Sequence, residues 1–252
     1  DGWEGDREGI KRAGGSMNET KDNVLFTGEN GTTAKLDGTN LTVFGGDGTL
    51  VATLPRKDRV SPTMGAKAPD GAVVLFNGKD SNHFPGSKVT PDGLLEQGAN
   101  SSDVFGDCTL HVEFMLSYMP KARGQGRSNS GVYLQSRYET QVLDSFGLEG
   151  KNNECGGIYT IAAPKVNMCY PPLTWQTYDI DFTAARYDAT GKKTSNARMT
   201  VRHNGVVIHE NVEVPHTTTS APLKEENTPG PLHLQNHGNP VRYRNIWVLP
   251  KK

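Results

Sequence analysis

The sequence has little helical periodicity, no long apolar run and no excess of charge of either sign. No run approaches the roughly 18 apolar residues that a transmembrane helix needs, so we expect no membrane insertion. The formal net charge is −1, which gives none of the basic surplus that attracts nucleic acid, and we expect no nucleic-acid partner. The near absence of helical period leaves β-strands as the main element.

Cysteine is also scarce, with three residues in a chain of 252. Cys155 and Cys169 bracket a loop-rich stretch and would pair in an oxidising compartment, but free buried cysteines are common, so the sequence leaves this pairing open. Cys108 lies in a strand pattern and is predicted to be a small buried hydrophobic residue. The first residues, Asp1-Gly-Trp-Glu-Gly5, are not a signal sequence, and we expect the numbering to begin inside a processed precursor.

The 29 glycines and 15 prolines are spread along the chain, which is typical of many short strands joined by tight turns. Residues 1–22 are polar and have no clear period. Four strand-like runs follow, at 23–27, 33–36, 41–44 and 49–54, separated by Gly-rich and Asn-rich turns, and they predict a small β-meander. Residues 55–69 are predicted to be a linker. We therefore expect an N-terminal segment over 1–66 and a main domain over 67–252.

Strand signals recur from residue 71 onward at the spacing of a sandwich. The predicted strands cover 73–76, 94–96, 109–117, 131–143, 157–161, 176–183, 197–203, 206–210, 232–235 and 241–249. So many half-apolar strands predict an all-β fold, an antiparallel two-sheet β-sandwich of the jelly-roll, concanavalin A-like kind.

The run from Gly131 to Leu143 places a row of large polar groups on one face of a strand. Its apolar residues share one parity, and the other parity carries Tyr133, Gln135, Arg137, Glu139 and Gln141. Water-facing strands usually carry Thr, Lys and Ser, so this face predicts the floor of a polar cleft. In the run 109–116, His111 and Glu113 lie opposite the apolar set, and the alternation leaves open that they border the same cleft.

Glu139, Gln141 and Asp144 form the first candidate constellation. Glu139 and Gln141 share a strand face, and one β-bulge before Asp144 would bring all three together. A retaining glycosidase needs two carboxylates about 5 Å apart, whereas five residues of strand span roughly 16 Å. Two-carboxylate hydrolysis by this pair is therefore disfavoured, and the alternative is that Glu139 and Asp144 make structural hydrogen bonds at a strand end.

His233, Gln235 and His237 share the polar side of a second strand. His237 precedes a Gly-Asn-Pro turn, which would leave its imidazole at a strand mouth, free to transfer a proton near neutral pH. An exposed or structural histidine is the alternative for both. His233 and His237 are too far apart along a strand to chelate one metal together.

Amide and aromatic residues are the remaining candidates for a binding site. Asn129, at the entrance of the polar strand, suits sugar hydroxyls, and the neighbouring basic run 121–127 fits either a mobile rim or a solvated hairpin. Trp175, Tyr170 and Tyr178 would stack on a sugar ring, but aromatics so placed are as often core.

Several ordered motifs resemble one known family, the 3-keto-disaccharide hydrolase family, which has a concanavalin-like jelly-roll. They are Leu75-Phe-Asn-Gly-Lys79, Asn129-Ser-Gly-Val132, Tyr138-Glu-Thr-Gln-Val-Leu-Asp144, Trp175-Gln-Thr-Tyr-Asp-Ile180, His203-Asn-Gly205, Leu234-Gln-Asn-His-Gly-Asn-Pro-Val241 and Tyr243-Arg-Asn-Ile246. The resemblance runs from about residue 71 to the C-terminus. Residues 1–66 resemble an accessory segment of planctomycete-type members.

The resemblance implies a secreted or periplasmic bacterial enzyme that acts on 3-keto-glycosides or 3-keto-disaccharides. Its implied route is removal of the C2 proton, elimination of the C1 substituent and addition of water, which needs one base, one acid and an enolate stabiliser. We predict Glu139 or Asp144 as the base and His237 as the acid or enolate partner. The predicted substrate-binding residues are Asn129, Arg137, Gln141, Gln235, Trp175, Glu113 and Arg244.

A non-catalytic carbohydrate-binding module is the main alternative, because a lectin would use the same face. An ordinary glycosidase is the third, and it would require two carboxylates within about 5 to 10 Å across a cleft. No spacing demands a cofactor, although His237, Glu139 and Asp144 are competent ligands for a divalent metal ion, so a metal site stays open. The sequence fixes neither the sugar nor the oligomeric state.

Overall fold

A computed structural model describes residues 15–19 and 23–251, and the chain divides into two compact units between Arg59 and Val60. The smaller unit is a five-stranded antiparallel meander with its strands in sequence order. The strands are β1 (Gly15–Glu19), β2 (Val24–Gly28), β3 (Thr33–Leu36), β4 (Asn40–Phe44) and β5 (Leu50–Pro55). The prediction of a meander is confirmed over β2–β5, whereas β1 was not predicted. The remainder of the polar segment 1–22, at 1–14 and 20–22, lies outside the described residues.

The larger unit is an antiparallel β-sandwich of the jelly-roll type, as predicted. Its strands are β6 (Val73–Phe76), β7 (Leu95–Glu96), β8 (Ala99–Phe105), β9 (Cys108–Met115), β10 (Ser130–Leu134), β11 (Tyr138–Val142), β12 (Trp175–Thr183), β13 (Arg186–Tyr187), β14 (Lys193–Ser195), β15 (Ala197–His203), β16 (Val206–Val214), β17 (Gly230–Leu234) and β18 (Arg242–Pro250). One sheet has the order β11-β10-β17-β8, and the other has the order β16-β15-β12-β9-β18-β6 with β7 paired to β18. In the part of the chain that the structure describes, no helix is long and apolar enough to span a bilayer.

Alternating residues from the two sheets meet in one hydrophobic core. The four-stranded sheet contributes Val132, Leu134, Tyr138, Leu232 and Leu234, and the seven-stranded sheet contributes Leu110, Val112, Phe114, Ile180, Phe182 and Val248, all buried. The rings of Tyr138 and Phe182, one from each sheet, have centroids 5.5 Å apart. Burying each such aliphatic or aromatic side chain contributes about 1.5–3 kcal/mol, so the alternation determines which residues face inward and which face outward.

All three cysteines are buried and free. Cys108 lies in the core, as predicted. Cys155 and Cys169 interact as thiols, and Cys155 also lies 3.2 Å from the Tyr178 hydroxyl. The pairing that the sequence left open is therefore not formed in this structure.

The polar run that we predicted as one strand, 131–143, is a hairpin of β10 and β11. Gln135 and Ser136 turn the chain with φ values of 56° and 54°. Tyr133 then lies opposite Glu139, and Gly131 lies opposite Gln141. Because paired residues have the same parity, Tyr133, Glu139 and Gln141 still share one outer face, as the alternation predicted. The turn itself was missed because it contains no Gly, Pro, Asn or Asp.

Arg137 belongs to this turn and not to a strand. Its buried guanidinium donates hydrogen bonds to the carbonyls of Lys224 and Thr228 and to the carboxylate of Glu226, at 2.7–2.8 Å. The Arg137 side chain therefore points to the 224–228 loop and not, as the alternation had predicted, to the floor on which Glu139 lies. Arg137 instead fixes the 224–228 loop against the end of the hairpin.

A short segment, residues 61–66, packs along the outer face of the seven-stranded sheet, and we call it the strap. The Ser61 and Thr177 hydroxyls are 2.6 Å apart, Thr63 donates to Asp179 at 2.7 Å, and the Gly65 N–H donates to Glu113 at 2.6 Å. The predicted boundary after residue 66 therefore differs from the observed division, which leaves the strap in the larger unit.

His111 lies beneath the strap between two carboxylates. Its Nδ1 is 2.6 Å from Asp179, its Nε2 is 3.6 Å from Glu113, and its ring stacks on Trp247. Burial lowers the pKa of His111, but the hydrogen bonds to Asp179 and Glu113 outweigh it and raise the pKa overall. Burial opposes ionisation of Glu113, yet its bonds from His111, Asn245 and Arg244 lower its pKa from 4.5 to about 2.

Replacing Glu113 by Gln should lower the free energy of unfolding at pH 7 by about 3 kcal/mol, because Arg244 loses its anion and His111 loses one of its two. Because the pKa of Glu113 is lowered in the folded state, its carboxylate stabilises the protein above pH 4.5, and this stabilisation is lost as the pH falls towards 2. The variant should therefore lack that part of the pH dependence of the free energy of unfolding. Urea unfolding between pH 2 and 7 measures both effects.

Glu210→Gln is the matched control, since Glu210 pairs only with exposed Lys165 and should change stability by less than about 1 kcal/mol. Equal losses in the two variants would contradict a stabilising role for Glu113.

Candidate active site

Four side chains form a continuous row across the outer face of the four-stranded sheet, and we call them the polar row. Strand pairing places Glu139 of β11 opposite Tyr133 of β10, Tyr133 opposite His233 of β17, and His233 opposite Asn100 of β8. Directly opposed side chains in an antiparallel sheet lie close enough to touch. The row therefore combines a carboxyl group, a phenol, an imidazole and an amide on one floor.

Glu139 is the buried acid of the polar row, with 1% of its surface exposed. The Tyr133 hydroxyl donates a hydrogen bond to Oε2 of Glu139 at 2.7 Å. Burial raises the pKa of Glu139 to about 8, although the bond from Tyr133 acts in the opposite direction. This carboxyl group therefore exchanges its proton close to neutral pH, which suits acid–base catalysis.

Gly131 makes space for that carboxyl group. A Cβ atom on Gly131 would lie 2.2 Å from Oε1 of Glu139 and 2.8 Å from the Tyr133 ring. Any side chain at this position would displace the acid, so the Asn129-Ser-Gly131 motif has a steric reason for ending in glycine.

Gln235 extends the row through Tyr133. Its side-chain N–H donates to the Tyr133 hydroxyl at 3.1 Å, while that hydroxyl donates to Glu139. The hydrogen bonds therefore run in one direction, from Gln235 through Tyr133 to Oε2 of Glu139. This contact places Gln235 beside Tyr133 and Glu139, and its role in substrate binding stays a prediction.

His233 occupies the other half of the polar row. Its Nδ1 lies 2.8 Å from Oδ1 of Asn100, and its ring centroid is 5.2 Å from that of Tyr133. Burial lowers the pKa of His233, so the ring is neutral at pH 7. Because an amide oxygen only accepts hydrogen bonds, Nδ1 carries the ring proton and Nε2 has a free lone pair.

Three amide side chains, Gln125, Asn129 and Gln141, form a second group that we call the amide cluster. Gln141 donates to the Gln125 side chain at 3.0 Å, and Asn129 donates to the Gln125 backbone carbonyl at 2.7 Å. Oδ1 of Asn129 is buried and has no hydrogen-bond partner among the residues that the structure describes. Gln141 shares the face of Glu139 through its place on β11, so the cluster lies beside the polar row and offers the amide groups that bind sugar hydroxyls.

The segment after β11 borders Glu139. The Tyr159 N–H donates to the Glu139 carbonyl at 3.2 Å, and Thr140 and Ile158 form an isolated bridge. The predicted strand at 157–161 is therefore wrong, because only isolated bridges form there. Burial and the Glu139 charge raise the pKa of Tyr159, which places its half-buried phenol near the acid.

Two predicted catalytic residues lie in other surroundings. Asp144 follows the end of β11, and its buried carboxylate accepts a hydrogen bond from Arg127 Nε at 2.7 Å. His237 is exposed in the turn between β17 and β18, next to Asn239, whose side chain accepts from the Asn129 N–H. Their catalytic roles stay predictions. The described residues contain no cluster of three His, Cys, Asp or Glu suited to a metal, so His237, Glu139 and Asp144 form no such cluster.

Three predicted sugar-binding residues lie on the opposite side of the sandwich. Glu113 accepts from Arg244 at 2.7 Å, and the Arg244 guanidinium stacks 3.9 Å from the Trp175 ring centroid. All three are on the outer face of the seven-stranded sheet, where the strap also packs. The expectation that Glu113 borders the cleft of Glu139 is wrong, because alternation assigns a face of a strand but not the sheet to which the strand belongs.

Asn100 is a site residue that the sequence analysis did not name, and Tyr133 and His233 are site residues to which it assigned no catalytic role. Tyr133 and His233 both lay on the polar parity of their strands, so a signal was present. Their neighbourhood depends on the pairing of β10 with β17 and of β17 with β8, which joins residues about a hundred positions apart.

The sequence family and solved structures agree with this architecture. No curated protein matches the chain. A crystal structure from Parabacteroides distasonis ATCC 8503, provisionally described as a glycosyl hydrolase, is 30% identical, with a TM-score of 0.67 over 73% of this chain and 85% of its own. Another from the same organism, with the same description, is 18% identical and has a TM-score of 0.53 over 78% of this chain and 100% of its own, which shows the fold alone.

A family model matches residues 71–249, which include every strand of the sandwich almost to the end of β18. The match contains the whole polar row and the amide cluster. The chain therefore belongs to the family of the 3-keto-alpha-glucoside-1,2-lyase-like domain.

Proposed function

We propose that this protein cleaves glycosides whose C3 hydroxyl has been oxidised to a ketone. The observation that carries the proposal is that Glu139 is the one carboxyl group in the polar row and the amide cluster, and that burial raises its pKa to about 8. Ordinary glycosidases use two carboxyl groups about 5 to 10 Å apart, and the named site residues do not supply a second one. A ketone at C3 removes the need for it.

The ketone makes the neighbouring C2 proton acidic. A base removes that proton, the electron pair forms an enolate on the C3 oxygen, and collapse of the enolate expels the C1 substituent. Water then adds to C1 and a proton returns to C2, so the net reaction is hydrolysis. Glu139 supplies proton transfer in this sequence, and the amide side chains of Gln235 and Gln141, which lie on the same face of the sheet, are suited to orient a polar substrate.

The floor also fits an uncharged sugar. Around Glu139 it presents phenol, imidazole and amide groups, which bind hydroxyls without attracting a fixed charge. A carbohydrate-binding module would need no buried carboxylic acid of raised pKa at its floor, so the raised pKa favours the enzyme. The family resemblance supports a secreted or periplasmic location in a bacterium.

The purified chain should release a chromogenic leaving group from a 3-keto-glucoside and not from its unoxidised parent. Glu139→Gln should lower kcat for the keto compound by about 10³-fold, because an amide neither gives nor takes the proton. The variant should unfold within about 0.5 kcal/mol of the parent or be more stable, because it removes no charge pair.

Glu210→Gln serves as the matched surface control and should keep the parent rate. Release from the unoxidised glucoside, or a full rate in Glu139→Gln, would overturn the proposed function.

Gly131→Ala tests the steric requirement. The added methyl should displace the Glu139 carboxyl group by about 1 Å and lower kcat/KM about 10²-fold, since misplacement of that size has this cost. Gly106→Ala is the control, because a Cβ there meets no atom within 4 Å. Steady-state kinetics measures the activity of both variants, and urea unfolding measures their stability. Equal activity in the two variants would contradict the role of Gly131.

A further inference from the structure

We infer that His233 is the base that removes the C2 proton and that the Glu139 carboxylic acid protonates the departing C1 oxygen. The assignment rests on the proposed function. In it His233 accepts a proton from the substrate and Glu139 donates one. It adds His233 as a catalytic residue and Asn100 as the residue that positions it.

The base assignment follows from the orientation of the imidazole. Asn100 accepts the Nδ1 proton at 2.8 Å, which leaves the Nε2 lone pair as the proton acceptor. The ring is half-buried and lies against Tyr133, so its orientation is fixed from two sides. A histidine held in this way by a neighbouring acceptor is ready to take a proton.

The acid assignment follows from the direction of the hydrogen bonds to Glu139. Gln235 donates to the Tyr133 hydroxyl, and Tyr133 donates to Oε2 of Glu139. Because Oε2 is an acceptor, the carboxyl proton belongs on Oε1. That oxygen is the one that points to the space left by Gly131.

Glu139 and His233 lie on either side of Tyr133 in the four-stranded sheet. Glu139 and His233 lie on β11 and β17, which both pair with β10. Neighbouring strands are about 4.8 Å apart, so the two backbones are about 10 Å apart. Tyr133 of β10 is buried between them and contacts both, through its hydroxyl to Glu139 and through its ring to His233.

The proton steps balance. His233 Nε2 takes the C2 proton and the enolate forms on the C3 oxygen. The bond from C1 to its substituent breaks, and the departing oxygen takes the proton from Oε1 of Glu139. Water then adds to C1 and gives one proton to the Glu139 carboxylate, while the proton on His233 returns to C2. Both groups regain their starting states.

The ionisation states of His233 and Glu139 support proton transfer to His233 and from Glu139. Burial lowers the pKa of His233 and raises that of Glu139 to about 8, so both are neutral around pH 7. Tyr133, Tyr159 and Tyr243 are the titratable groups that sense the Glu139 charge, and Tyr133 and the uncharged Asn100 are those that contact His233. We expect kcat/KM to fall above pH 8, as Glu139 loses its proton, and to fall on the acid side as His233 gains one.

Exchange of the C2 proton in D2O separates the two roles. The probe is a methyl 3-keto-glucoside, whose poor leaving group lets enolisation be followed by NMR, with a sample lacking protein to give background exchange. Glu139→Gln should keep at least a third of the parent exchange rate and lose release of methanol from the same probe, because an alkoxide departs only when an acid protonates it. His233→Gln should lower both rates by at least about 10²-fold.

His216→Gln is the matched control, because His216 is exposed and bonds only the Thr217 carbonyl. It should leave both rates unchanged. Asn100→Asp should move the acid limb of kcat/KM to higher pH, since a carboxylate beside Nδ1 raises the pKa of His233. A limb that stays in place would show that His233 is not the group that sets it and would contradict the assignment.

The opposite pattern would overturn the assignment. If Glu139→Gln loses exchange while His233→Gln keeps it, Glu139 is the base and the proposed function still stands. If His233→Gln keeps both exchange and release, His233 has no catalytic role. Absence of release by the parent protein from any 3-keto-glucoside would instead remove the proposed function itself.

Discussion

The register of the β10–β11 hairpin is the constraint on which the site depends. With Leu134 opposite Tyr138, Tyr133 lies opposite Glu139 and a glycine lies opposite Gln141. A slip of one residue would turn Glu139 into the core and bring Tyr138 out to the cleft. The register is held by apolar residues on the inner face and by Arg137, which ties the turn to the 224–228 loop. One hairpin therefore sets the acid, its phenol partner and the space between them.

The two outer faces of the sandwich each carry a buried carboxyl group, and the pKa values of these groups are shifted in opposite directions. On the seven-stranded sheet, Glu113 is buried with His111, Arg244 and Asn245 around it, and its pKa is lowered to about 2. On the four-stranded sheet, Glu139 is equally buried, but among the described residues only the Tyr133 side chain donates to its carboxyl group, and its pKa is raised to about 8. Both are carboxyl groups on strands. The first is a structural anion that holds the strap, and the second is an acid kept near its point of exchange.

The fold could be predicted well because alternation and turn residues repeat along the chain. The inward positions of β9, for example, are the predicted Leu110, Val112 and Phe114. The site could be predicted only in part. Glu139 and Gln141 were placed on one strand face from parity, and Gln235 on the polar side of a second strand, whereas Arg137 was misplaced because its turn contains no Gly, Pro, Asn or Asp. Glu113 was misplaced because its strand belongs to the other sheet.

The sequence by itself determined the all-β class, the faces of the strands and the family, since each depends on local periodicity or on ordered motifs. Only the tertiary structure decided which faces meet. Glu139, Tyr133, His233 and Asn100 become neighbours through three strand pairings, and the β10–β17 pairing alone joins residues 133 and 233. Long-range pairing is set by the packing of the whole core and not by any local pattern. The pKa of Glu139 follows from the same packing, because burial is a property of the folded chain.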